Sequence, residues 1–145
     1  MIDLDNQTDL QFALAPLEKI ASSLCTNEIE LIITDDESIR KLNQTHRGKD
    51  SATDVLSFPL ETPFTQESIF AVPLGSIVIS DSHVKQKAQA LEHSIQDELS
   101  LLFIHGMLHL LGFDHESDNG EMREREVQLI KQFDLPKSLI IRTGE

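Results

Sequence analysis

His105-Gly106-Met107-Leu108-His109-Leu110-Leu111-Gly112-Phe113-Asp114-His115 gathers three of the six histidines of the chain into one short run. A helix carries residues four apart on one face, so His105 and His109 are expected to project side by side and grip one cation. Gly112 suits the positive-φ position that ends such a helix and turns His115 back toward the same point. Chance would produce the H-x3-H pair about 0.2 times in a chain of this composition, but the full H-x3-H-x5-H triple only about 0.01 times. Three neutral imidazoles suit Zn2+ and leave a fourth position for water, the layout of a catalytic site. Two other readings compete. The histidines are satisfied core groups among Leu101, Leu102, Phe103, Ile104, Leu108, Leu110 and Leu111, or the zinc is structural with a fourth protein ligand. For that fourth ligand Cys25 is distant in sequence, and Asp114 and Glu116 adjoin His115. Asp114 more readily fixes the turn or orients an imidazole from behind.

Upstream, the histidine run closes a helix expected from about Ile95, with Leu99, Leu102, Phe103 and Met107 along it. The capping cluster Ser80-Asp81-Ser82 opens another helix through about Leu91, and residues 74–79 before it read as a strand. Val55-Leu56-Ser57-Phe58, stopped by Pro59, reads as a short strand. Residues 59–73 hold Pro59, Pro63 and Pro73 and read as a loop, with an edge strand near residues 69–72. Residues 28–33 read as a strand, and Asp35-Asp36-Glu37 as an acidic helix start with Ile39 and Leu42 on one face. Leu10, Leu14, Leu17, Ala21 and Leu24 step at helical spacing, and Pro16 either kinks that helix or sits in the first turn of a shorter one. A last helix runs from about Asn119 to Phe133, with Met122, Val127 and Ile130 inward. Helices interspersed among strands predict an α+β domain over residues 1–145: a small mixed β-sheet of about four strands covered by five or so helices.

The 145 residues carry 12 Lys+Arg against 25 Asp+Glu, a net charge of −13. With 39% apolar and 26% charged residues the chain is neither disordered, collagenous nor low in complexity. The single Cys25 cannot form an internal disulfide, which points to a reducing compartment or an ordinary buried thiol. Acid at Asp3 and Asp5 and the absence of a long apolar run speak against a secretory signal and a membrane span, so a soluble cytoplasmic protein is expected. Such an acidic chain repels phosphate on average, so wrapping of DNA or contact with an anionic membrane is not expected. Residues 40–49 are the local exception: Arg40, Lys41, Arg47 and Lys49 with no acid.

The spacing from His105 to His115 equals that of the metzincin proteases, H-E-x-x-H-x-x-G-x-x-H, but Gly106 stands where those enzymes carry the glutamate base. The run instead resembles the YbeY family of metal-dependent endoribonucleases, H-G-x-L-H-L-x-G-(Y/F)-D-H, with Met107 where Leu is common. Leu42-Asn43, Arg47-Gly48-Lys49-Asp50 and Thr53-Asp54-Val55-Leu56-Ser57-Phe58-Pro59 are similar to a second signature of that family. Leu74-Gly75 with Ile77-Val78-Ile79, and His93-Ser94 with Glu98-Leu99, extend the resemblance over most of the chain. His46 stands where an aromatic residue is usual, Ser76 where Asp is usual, and Glu92 where Gly is usual.

The resemblance implies a zincin-like fold and a single-strand-specific endoribonuclease in 16S rRNA 3′-end maturation, ribosome biogenesis and quality control. It implies His105, His109 and His115 as ligands of one Zn2+ and Arg47 as the catalytic cation. A metal-activated water would attack the phosphodiester while the Arg47 guanidinium neutralises charge on the phosphate oxygens. Lys49, His46 and Ser57 are candidate substrate contacts. Single-stranded or ribosomal RNA, the ribosome or small-subunit proteins, and an assembly GTPase are the partners to expect. The competing functions are a metallopeptidase or amidase with a displaced base, and a ribosome-assembly binding factor with a structural zinc. His83 and His93 read as structural, and Thr53-Asp54 as a turn before a strand.

Overall fold

Oxygen-bearing side chains start three of the helices. The Asp35 carboxylate accepts from the Ser38 amide, the Ser80 hydroxyl from His83, and the Ser94 hydroxyl from Asp97. The computed structural model describes residues 2–59, 73–114 and 117–136. In chain order these form β1 (Ile2–Asn6), α1 (Ala15–Leu24), β2 (Ile29–Thr34), α2 (Asp36–Arg47), β3 (Val55–Pro59), β4 (Gly75–Ser80), α3 (Asp81–Ala90), α4 (Ile95–Leu110) and α5 (Glu121–Gln132). Among the described residues the strands make one sheet in the order β1-β2-β4-β3. β1 pairs parallel with β2 and β2 with β4, while β3 runs antiparallel to β4, so the architecture is the mixed α+β one expected.

The inner strands β2 and β4 are apolar because both of their faces are covered. Ile29, Leu31 and Ile33 of β2 and Ile77 and Ile79 of β4 pack with α1 and α4 in the main core. The opposite face, with Val78, Leu56 and the half-buried Ile32, packs under Ile39 and Leu42 of α2. Each fully buried Leu or Ile contributes roughly 1.5–3 kcal/mol relative to exposure. Helix α4 lies deepest: eleven of its sixteen residues are buried, so it runs through the core rather than across its surface. Its fully buried Glu98 meets the equally enclosed His93 Nε2 at 2.9 Å, which keeps that carboxylate from entering the core unpaired.

The observed elements depart from the sequence reading in identifiable places. Strand β1 was not expected; of its five residues only Ile2 is buried, so it carries almost no apolar alternation. Pro16 proves to lie in the first turn of the shorter helix α1 rather than at a kink. Helix α5 begins at Glu121, and Glu126 is buried while Val127, expected inward, is half-buried. The edge strand expected near residues 69–72 lies outside the described residues. Among the described residues no helix is long and apolar enough to cross a membrane.

Candidate active site

A cleft of about 570 Å3 opens beside β3, the outer strand of the described sheet, and is lined by Arg47, Thr53, Asp54, Val55, Leu56, Ser57, Pro59, His105, His109 and Asp114. Its two chemical ends come from opposite faces of the sheet. The histidines descend from α4 on one face, Arg47 from the end of α2 on the other, and β3 runs between them.

The i, i+4 spacing brings His105 and His109 together as the sequence predicts. Their rings stand edge to face with centroids 4.7 Å apart, and the two Nε2 atoms are 3.1 Å apart. The opposite nitrogen of each ring is engaged. Nδ1 of His109 donates to the Phe113 carbonyl at 3.0 Å, and Nδ1 of His105 lies 2.7 Å from Oε1 of Glu126. A carbonyl and a carboxylate only accept, so both protons sit on Nδ1 and both Nε2 lone pairs converge. Converging lone pairs call for a cation between them. Two nitrogen ligands of one tetrahedral zinc stand about 3.3 Å apart, given Zn–N bonds of about 2.0–2.1 Å, so the observed spacing fits that ion. Gly112 adopts φ 99 just past the helix, and its amide and that of Phe113 close onto the His109 and Leu108 carbonyls. The same turn delivers the Phe113 carbonyl that holds His109. His115, the third expected ligand, lies outside the described residues; among those described, no group of three or more His, Cys, Asp or Glu side chains is placed to hold a metal.

Gly106 shows why no glutamate stands beside His105. A Cβ there would lie 2.8 Å from Ile77 Cγ2, so α4 rests on β4 too closely for any side chain to enter without displacing the strand's packing. On the same contact, the Ser57 hydroxyl donates to the Gly106 carbonyl at 3.2 Å and ties β3 to the histidine helix.

Arg47 ends α2, where Gly48 takes the left-handed conformation with φ 70. The following loop is fastened back to the helix: Asn43 Nδ2 donates to the Ser51 carbonyl at 2.8 Å, and Arg40 joins Glu37 and Asp50. Arg40 is thereby neutralised locally, whereas Arg47 forms no ion pair with any described residue. Its guanidinium faces a cleft that also contains Asp54 and Asp114. Of the remaining candidates, Ser57 lines the cleft, but His46 and Lys49 are not among its lining residues. His46 occupies the aromatic slot, packing its ring on Phe58 at 4.9 Å. Ser76 donates to Glu30 Oε1 at 2.7 Å across the β2–β4 pair, a position at which an aspartate would face that carboxylate. The sequence reading does not single out Glu126. Its signal was an acid falling on the buried stripe of α5, with Met122 four residues before it and Ile130 four after.

Comparison with known proteins bears on the family and the fold. A family model described as Endoribonuclease YbeY matches residues 4–134. A protein named Endoribonuclease YbeY from Sulfurovum sp. is 61% identical over 142 residues, covering 98% of this chain and 97% of its own length. One of the same name from Helicobacter pylori is 52% identical over 146 residues, covering 100% of this chain and 99% of its own. Among solved structures, the solution structure of TM1509 from Thermotoga maritima superposes with a TM-score of 0.60 at 27% identity, covering 92% of this chain and 89% of that one.

Proposed function

The chain belongs to the YbeY endoribonuclease family, and on that premise we propose that it is a zinc-dependent endoribonuclease specific for single strands. Its place is in 16S rRNA 3′-end maturation, ribosome biogenesis and ribosome quality control in the cytoplasm. The observation that carries the reading is the 3.1 Å convergence of the His105 and His109 Nε2 atoms in a cleft that Arg47 also lines.

His105 and His109, with His115 as third ligand, would hold the ion. Zinc in such a set supplies Lewis acidity and acidifies water enough to provide a nucleophile near neutral pH. Arg47 engages phosphate oxygens through its planar fork of donors and neutralises the charge that grows on them, a task the point charge of a lysine performs less well. Ser57 contributes from the β3 wall. His46 and Lys49 border the same end of α2 and contact RNA that extends beyond the cleft. Asp54 and Asp114 keep the rest of the cleft acidic, so the seating of phosphate depends on Arg47 and on the charge of the ion. The ribosome, small-subunit proteins and an assembly GTPase are the partners that bring such an acidic enzyme to its RNA.

Metal analysis and single-stranded RNA cleavage, run on wild type, Arg47→Ala and His109→Ala, test the reading. Wild type should carry zinc and cut RNA, and His109→Ala should lose both. Arg47→Ala should keep its zinc and lose cleavage by about 100-fold or more. Loss of zinc along with Arg47 would remove the role given to it. Cleavage of a peptide library but not of RNA by the zinc-loaded protein would replace the nuclease with a peptidase.

A further inference from the structure

The carboxylate of Glu126 is buried, with 7% of its side chain exposed, and its Oε1 lies 2.7 Å from His105 Nδ1. It belongs to α5, twenty-one residues beyond the imidazole it meets. We propose that Glu126 is a positioning residue of the metal centre: it holds His105 in the Nδ1–H tautomer and aims its Nε2 at the ion. The proposal rests on reading this site as a zinc centre.

Packing gives no reason for an acid at this position. The neighbours of Glu126 on the inward stripe of α5 are Met122, Leu129 and Ile130, all buried. A leucine would continue that stripe and avoid desolvating a carboxylate, and the neutral His105 imidazole it leaves behind, 29% exposed, can turn its N–H to water. What a leucine cannot do is accept the Nδ1 proton. Without an acceptor, the His105 ring divides between two tautomers and turns about its χ2 angle, and in one of them Nε2 carries a proton and cannot ligate. The two histidines are also held unequally. His109 has a neutral backbone carbonyl behind it, whereas His105 has a full negative charge, which strengthens its donation to a cation on the far side of the ring. Because Glu126 sits on α5 and both histidines on α4, affinity for the ion becomes coupled to the docking of those two helices.

Full-length Glu126→Gln and Glu126→Leu test this through three readouts: zinc Kd by competition with a chromophoric chelator, urea unfolding of the metal-free protein, and the imidazole 15N shifts that report tautomer. Glutamine still accepts the proton but lacks the charge. It should leave the tautomer in place and weaken zinc binding about tenfold, while leucine should weaken it up to about 100-fold. The leucine variant should unfold at an unchanged or higher urea concentration, with His105 distributed between tautomers. Wild-type zinc affinity in both variants, with His105 still in its Nδ1–H form, would overturn the proposal. So would a leucine variant that unfolds early while glutamine leaves affinity untouched, since the role would then be purely structural. A wild type that takes up no zinc would remove the centre and this proposal with it, an outcome distinct from unchanged affinity in the variants.

Discussion

Gly106 concentrates two requirements in one missing side chain. It lets α4 touch Ile77, and its carbonyl accepts from Ser57, so the backbone between the two histidines is held from two sides. Gly106→Ala would force Cβ to 2.8 Å from Ile77 Cγ2. Overpacking of that kind costs about 1–3 kcal/mol. Urea unfolding should show that loss, and when the change is combined with Ile77→Ala, which removes Cγ2, the two costs should be less than additive. Ser57 poses a different question, because its hydroxyl already serves the fold. If it also contacts RNA, Ser57→Ala should raise KM for cleavage beyond what a stability loss of about 1 kcal/mol explains. An unchanged KM would confine Ser57 to tying β3 to α4.

Helices α2 and α3 start side by side at the ends of β2 and β4, and one carboxylate serves both. Asp36 accepts from the Ser80 hydroxyl at 2.6 Å and the Ser82 hydroxyl at 2.5 Å, and lies 2.9 Å from His83 Nδ1. Burial pushes this carboxyl up, but the two hydroxyls and His83 together outweigh it and hold it below the ordinary aspartate value. A carboxyl depressed in the folded state takes up its proton more readily in the unfolded chain. Its contribution to stability is therefore present above about pH 4 and is lost as the pH falls through the depressed value. Asp36→Ala should lower the urea midpoint at pH 7 and approach wild type as the medium is acidified below about pH 4. A constant gap across that range would exclude this linkage. The same elements show what could be read in advance. Asp35 and Ser80 announced helix starts because capping is local chemistry, and His105 with His109 announced their meeting because helical periodicity is local geometry. The β1 strand carries one buried residue and no such mark. Glu126 reads as one more solvated charge on an acidic helix unless its spacing from Met122 and Ile130 is weighed, and only the packing of α5 against α4 shows that it meets His105. The hook from Ser57 to a backbone carbonyl leaves no trace in residue type.

At the scale of the whole molecule, the net charge of −13 sets how the protein meets RNA. The basic stretch at the end of α2 is weaker than its composition suggests, since Arg40 joins Glu37 and Asp50 and Lys41 lies 4.0 Å from Glu37. Arg47 and Lys49 remain to face phosphate. Two phosphate contacts on a single strand predict a shallow slope of log K against log salt, about −1.4, and Arg47→Ala should halve it. Fluorescence anisotropy between 50 and 200 mM salt (about the range over which such slopes are read) checks this. A slope several times steeper would reveal a basic surface beyond these residues. The close seating of α4 on β4 has a further thermodynamic consequence. Both histidines ride on a helix that is already part of the core, so their approach to one another is settled when the chain folds, not when an ion arrives. Zinc uptake should then differ calorimetrically from that of a zinc finger, where metal and folding come together. Little apolar surface would leave water on binding, and the heat of association should barely change with temperature.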